Sequence, residues 1–60
     1  MTLKEFIDSH NEINYWNVFL FVEDEWESKW EEVNYLDYLD CDDFDYFIDA
    51  MKKSCDVFLN

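Results

Sequence analysis

Between Glu23 and Asp49 the chain carries twelve carboxylates and one ammonium, Lys29, for a net charge of −11. The rest holds four acids and three lysines and is nearly neutral. Carboxylates at this density have three uses. They can trade protons as acid–base pairs, hold a hard cation, or meet the basic side chains of another protein. The first use is not expected. No one pair stands out among so many, and 60 residues leave little room for a cleft of about 300 Å³ or more. Asp40, Asp42, Asp43 and Asp45 could attract Ca²⁺ or Mg²⁺ weakly, but the chain has no glycine to shape a binding loop. The same lack excludes the phosphate-binding loop and the dinucleotide fingerprint.

The other reactive side chains are few. Cys41, Cys55 and His10 are soft ligands, yet they show neither CxxC nor HxxxH spacing, so no zinc site is expected. His10 reads as a helix-end residue near the negative pole of the dipole rather than as the base of a cysteine nucleophile. Neither a metal nor a cofactor is expected, and the chain reads as a non-enzyme.

The whole-chain charge of −12 and pI near 4.1 argue against direct binding to nucleic acid or to an anionic membrane. Such charge often accompanies disorder, but disordered chains are poor in aromatics. Here 22% of residues are Phe, Tyr or Trp, and each can bury about 150–250 Å². A single folded domain over residues 1–60 is expected, with marginal stability because of its size. With few aliphatics available, the tryptophans are expected to fill its core. Two cysteines are too few for the disulfide framework of a small secreted domain. Met1–Glu5 has no basic stretch followed by an apolar run. The longest apolar run is Val18–Val22, far short of the roughly 20 residues of a membrane span. A soluble cytoplasmic protein with reduced thiols is the expectation.

The elements that would position these groups follow from periodicity. Residues 2–10 read as a helix, with Thr2 and Glu5 as a capping box and Leu3, Phe6, Ile7 and His10 on one face. Residues 15–23 read as a strand. Trp16, Val18, Leu20 and Val22 share one side, and Asn17, Phe19, Phe21 and Glu23 the other. Both sides are largely apolar, so the strand is expected to be central or covered twice. Residues 24–34 fit a helix through Trp26, Trp30 and Val33, or a return strand with Trp26, Ser28 and Trp30 on one face. The strand is preferred, since the amides of 15–23 need a partner. Without Gly or Asn the turn must be longer than two residues. Residues 35–41 suggest a short helical turn. Residues 42–55 read as a helix, with Phe44, Phe47, Ile48, Met51 and Cys55 on one side and Asp42, Asp45 and Asp49 on another. Residues 55–59 could end that helix, or form a strand beside Val18–Val22, since DVFL echoes NVFL. The expected fold class is α+β: an N-terminal helix, an antiparallel hairpin or short sheet, and a C-terminal helix. A mostly α chain is the alternative.

On that fold, Asp42, Asp45 and Asp49 would form a row of charges along a helix, with neighbours about 5–6 Å apart. Glu23, Asp24, Glu25, Glu27, Glu31 and Glu32 would rim the hairpin, and Asp37 and Asp40 would join the two rows. A phosphate-binding cleft of Lys and Arg would be drawn to such rows as it is to nucleic acid, because its main affinity term is electrostatic. Trp26, Trp30 or Tyr38, if exposed among the acids, would offer flat surfaces for stacking.

In size, charge and this mixture of aromatics with acids, the chain resembles the small acidic inhibitors that phages encode. These include anti-CRISPR proteins, anti-restriction proteins and inhibitors of DNA-repair enzymes. The resemblance implies a DNA mimic that occupies the basic cleft of a host nuclease or repair enzyme. The competing expectation is a protein-interaction module, or a homodimer, that uses an aromatic patch with an acidic steering rim.

Overall fold

Thr2 and Glu5 close the capping box that starts α1 (Leu3–Ser9). The Glu5 amide donates to the Thr2 hydroxyl at 3.3 Å, and the Thr2 amide donates to the Glu5 carboxylate at 3.4 Å. Two further N-terminal amides are satisfied from a distance: Leu3 donates to the Cys41 carbonyl at 2.8 Å and Lys4 to that of Leu39 at 3.1 Å. The computed structural model describes residues 1–60. A helix of seven residues is too short to persist in water without tertiary packing. Here Leu3, Phe6 and Ile7 supply that packing as a buried stripe.

After a 3-10 turn at Tyr15–Asn17, four strands follow: β1 (Val18–Asp24), β2 (Lys29–Val33), β3 (Phe44–Asp49) and β4 (Ser54–Leu59). A second 3-10 turn, Tyr35–Tyr38, joins β2 to β3. Asn14 and Asn34 cap the two turns by accepting the amides of Trp16 and Leu36. The sheet order is β2-β1-β4-β3. Two antiparallel hairpins, β1–β2 and β3–β4, meet at a parallel β1–β4 pair in the centre.

The core lies on one face of the sheet. Val18 and Leu20 of β1 pair with Cys55 and Val57 of β4, and α1 with Ile13 completes the buried cluster. Tyr35, Tyr38 and Leu39 of the second 3-10 segment pack against it, as do Val33, Phe44, Ile48 and Leu59. Only eight residues are buried, and Phe6 is the one aromatic among them. The expectation that tryptophan fills the core is therefore corrected. Trp16, Trp26 and Trp30 are all exposed, Trp26 to 96%. No helix is long and apolar enough to cross a membrane.

The expected C-terminal helix does not form, and the mostly α alternative fails with it. Residues 44–49 are an edge strand, 50–53 a turn, and 54–59 the strand beside β1. The sequence FDYFID fits both periods: Phe44, Tyr46 and Ile48 alternate as well as Phe44, Phe47 and Ile48 recur. Three observations explain why the strand wins. Asp, Phe and Tyr are weak helix formers. β1 needs hydrogen-bonding partners on both edges, and β4 takes the edge that β2 leaves open. β4 in turn needs β3.

Both hairpins use one device. Each has a four-residue connection, Glu25–Ser28 or Ala50–Lys53, whose last residue is left-handed: Ser28 at φ 52° and Lys53 at φ 54°. An aspartate opens each turn. Asp24 accepts the Trp26 amide at 2.9 Å, and Asp49 accepts those of Met51 and Lys52 at 3.1 and 3.2 Å. A side chain in the left-handed region costs about 1–2 kcal/mol, more than the added chain entropy of a glycine, about 0.5–1 kcal/mol. Ser28→Gly is therefore expected to raise the urea midpoint, with a gain of about 0.5 kcal/mol. An unchanged or lower midpoint would show that the turn holds no such strain.

Candidate functional site: the open face of the sheet

The helix layer covers one face of the sheet, and strand alternation assigns the rest of the side chains to the other. The register arranges that second face in cross-strand rows. One row runs Glu32, Phe21, Phe58, Asp45: two rings flanked by a carboxylate at each end. The next runs Phe19, Asp56, Phe47: a carboxylate between two rings. On the far side of the first row, Trp30 pairs with Glu23. Asp49 pairs with Ser54 beyond the second.

The rings touch. Phe21 and Phe58 stack with centroids 5.4 Å apart and planes 20° apart. Trp30 meets Phe58 edge-on at 5.4 Å. Phe47 stands 65% exposed and Trp30 48%. A depression of about 430 Å³ opens between Phe19 and Phe47, lined also by Asp49, Lys52, Ser54 and Asp56. The side chains of Glu23, Glu32, Asp45 and Asp56 make neither a hydrogen bond nor an ion pair; the one salt bridge in the molecule joins Lys29 to Glu27 in the β1–β2 turn region. Asp56 is half-buried in that unpaired state.

The acids expected to form a continuous surface are divided by the fold. Glu23, Trp30, Glu32, Asp45 and Asp49 come together on the open face. Glu31 points to the opposite side of β2, across from Val22. Asp24, Glu25, Trp26 and Glu27 lie at the tip of the first hairpin. Asp37 and Asp40 belong to the segment that packs with α1, and Asp42 precedes β3. The helical row Asp42, Asp45, Asp49 is corrected to a strand, on which Asp45 and Asp49 share a face with Phe47 between them. Tyr38, considered for stacking, is half-buried against the core.

Five members of the face were not singled out from the sequence as partner-binding: Phe19, Phe21, Phe47, Asp56 and Phe58. Alternation in 18–23 already put Phe19 and Phe21 beside Glu23, and the DVFL echo was the available signal for Asp56 and Phe58.

The soft ligands are not brought together. His10 is structural: its Nδ1 lies 2.7 Å from the Phe6 carbonyl, which can only accept, and its ring packs 4.3 Å from that of Phe6. Cys41 and Cys55 are free thiols. The carboxylates that converge are Asp24, Glu27 and Glu31, within 4.8 Å of one another. Asp24 is occupied with the Trp26 amide and Glu27 with Lys29.

Cys55 sits in the core beneath the site. Burial, reinforced by the Asp56 charge and opposed by a hydrogen bond from the Phe47 backbone, pushes its thiol up to about 11 from 9.0. The folded state therefore holds the thiol proton more tightly than the unfolded chain. Stability is unaffected by this group below pH 9 and falls as pH rises from about 9 to about 11. The loss is on the order of 2 kcal/mol. Urea midpoints at both ends of that window should fall further for the wild type than for Cys55→Ala. Equal falls would assign the alkaline loss to other groups.

Compared with protein-family models, with curated proteins and with solved structures, the chain matches none.

Proposed function

We propose that this protein is an acidic inhibitor that occupies the basic, nucleic-acid-handling surface of another protein, and that its open sheet face is the surface that docks. The supporting observation is the arrangement of four unpaired carboxylates, Glu23, Glu32, Asp45 and Asp56, around a cluster of touching rings. Asp56 lies diagonally between Asp45 and Asp49, since its direct partner on β3 is Phe47. Diagonal neighbours on adjacent strands are about 7–8 Å apart. The three form a zigzag of charge whose steps are of the same order as the spacing of phosphates along a strand. The rings beside them are flat apolar surfaces like those of bases. A cleft that holds phosphate with Arg and Lys and stacks bases meets both features here.

In size and charge this reading fits the phage counter-defence class, with a host nuclease or repair enzyme as target and the host cytoplasm as the place of action. It needs no catalysis, cofactor or direct contact with nucleic acid or membrane. Face-to-face pairing of two copies is disfavoured, because it would bring the same carboxylates together.

The test has two steps. A protein captured at low salt and released at high salt is purified, and its DNA binding is measured with and without a saturating amount of this chain. DNA is expected to be displaced, and the inhibition to weaken steeply with added salt. A target that keeps its DNA while saturated would sink the mimic reading for that target. A second reading is favoured by the ring cluster alone: an interaction module in which Phe21, Phe58 and Trp30 supply the affinity and the acids only steer. In that case Trp30→Ala costs more than any acid substitution, and salt changes affinity little.

A further inference from the structure

We propose that the open face recognises arginine in particular, and that the depression between Phe19 and Phe47 is the slot for one arginine side chain of a partner's basic segment. The proposal rests on the reading of this face as the docking surface and adds the chemistry of the partner.

The slot has the parts that a guanidinium needs. Asp56 is half-buried and unpaired, with Phe19 as its neighbour on one strand and Phe47 on the other. Asp49 lines the same depression. A guanidinium is planar, presents forked donors that match carboxylate geometry, stacks on ring faces and is weakly hydrated. Two rings with a carboxylate between them satisfy both its faces and its edges. A lysine ammonium is compact and strongly hydrated. It would satisfy one carboxylate and gain less from the rings. The neighbouring row repeats the motif in another order, with the stacked Phe21–Phe58 pair between Glu32 and Asp45. That gives a second place for a stacked guanidinium, one row away.

Charge and composition narrow the occupant. Nucleic acid is repelled by a chain of net charge −12. A second copy cannot fill the slot with arginine, because the sequence contains no arginine. Its own Lys52 lines the depression but makes no ion pair there. The guanidinium must come from a different protein.

The test compares an oligoarginine peptide with an oligolysine peptide of equal length, titrated into the full chain at physiological salt by calorimetry. Oligoarginine is expected to bind at least about tenfold tighter. Asp56→Asn, and separately Phe47→Ala at an exposed ring, should remove most of that preference while leaving the melting temperature nearly unchanged. Asp37→Asn, on the other layer, should retain it. Equal affinity for the two peptides, or a preference that survives in both slot variants, would overturn the arginine slot. Equal affinity together with displacement of DNA from a target leaves the basic-cleft reading standing. An arginine preference without displacement upholds the slot and removes the mimicry.

Discussion

Leu20→Ala is expected to leave most of the protein unfolded at 37 °C. Leu20 is fully buried on the central strand, between Val33 of β2 and Val57 of β4. Truncating a buried leucine costs about 2–5 kcal/mol, from lost transfer energy and from the cavity left behind. A domain of this length has a total stability of roughly 3–9 kcal/mol. Only eight buried residues and a self-repelling surface place it toward the lower end. Neighbours have little means to collapse into the gap, because the residues around Leu20 are strand-bound. Circular dichroism melts and urea midpoints check this, with Leu36→Ala as a control. Leu36 is largely exposed, and its loss should matter by less than about 0.5 kcal/mol. A Leu20→Ala midpoint close to that of the wild type would mean that the sheet centre is not the core it is taken to be.

Reversing the two carboxylates at the ends of the stacked-ring row, Glu32→Lys with Asp45→Lys, is expected to weaken binding to a basic partner about 100-fold or more. Each substitution removes an attraction and adds a repulsion at the site of contact. The informative comparison is Asp37→Lys with Asp40→Lys. Those two acids come from the same dense stretch of sequence and change the net charge equally, but they lie in the layer that holds α1. They should cost only the long-range share, a few-fold, and that share should vanish in high salt. Neither pair should lower the melting temperature, since each relieves repulsion in a chain of net charge −12. Equal losses from the two pairs would mean that charge density along the chain, and not the open face, makes the binding surface.

That comparison turns on a difference between sequence and fold. The segregation of charge into residues 23–49 is real in the sequence, yet it does not describe a surface. Strand alternation sends Glu31 and Glu32 to opposite faces of β2, and the second 3-10 turn carries Asp37 away from both hairpins. Conversely, Asp56 lies outside the charged stretch and joins Asp45 and Asp49 through the β3–β4 pairing.

Several features were legible locally. The Thr2–Glu5 capping box and the Leu3, Phe6, Ile7 stripe depend on contacts within one helical turn, and both are present. Of the strand expected over 15–23, alternation assigned the faces of Val18–Glu23 correctly, because a strand's period of two is a property of its own backbone, whereas Tyr15–Asn17 form a 3-10 turn and leave Trp16 exposed instead of on the core side. Residues 42–55 were not legible in the same way. Their apolar positions satisfy the helical and the strand period together, so the choice fell to the open edge of β1.

The sequence alone determined a small, acidic, aromatic-rich chain with one capped helix and a two-faced strand. Tertiary structure decided which face of that strand stays uncovered and what lies beside it. The parallel pairing of β1 with β4 brings Asp56 and Phe58 against Phe19 and Phe21 from the far end of the chain. Period and propensity act over a few residues, whereas a strand's partner is chosen across the whole chain by its unpaired amides and its apolar faces. The site is a product of that choice.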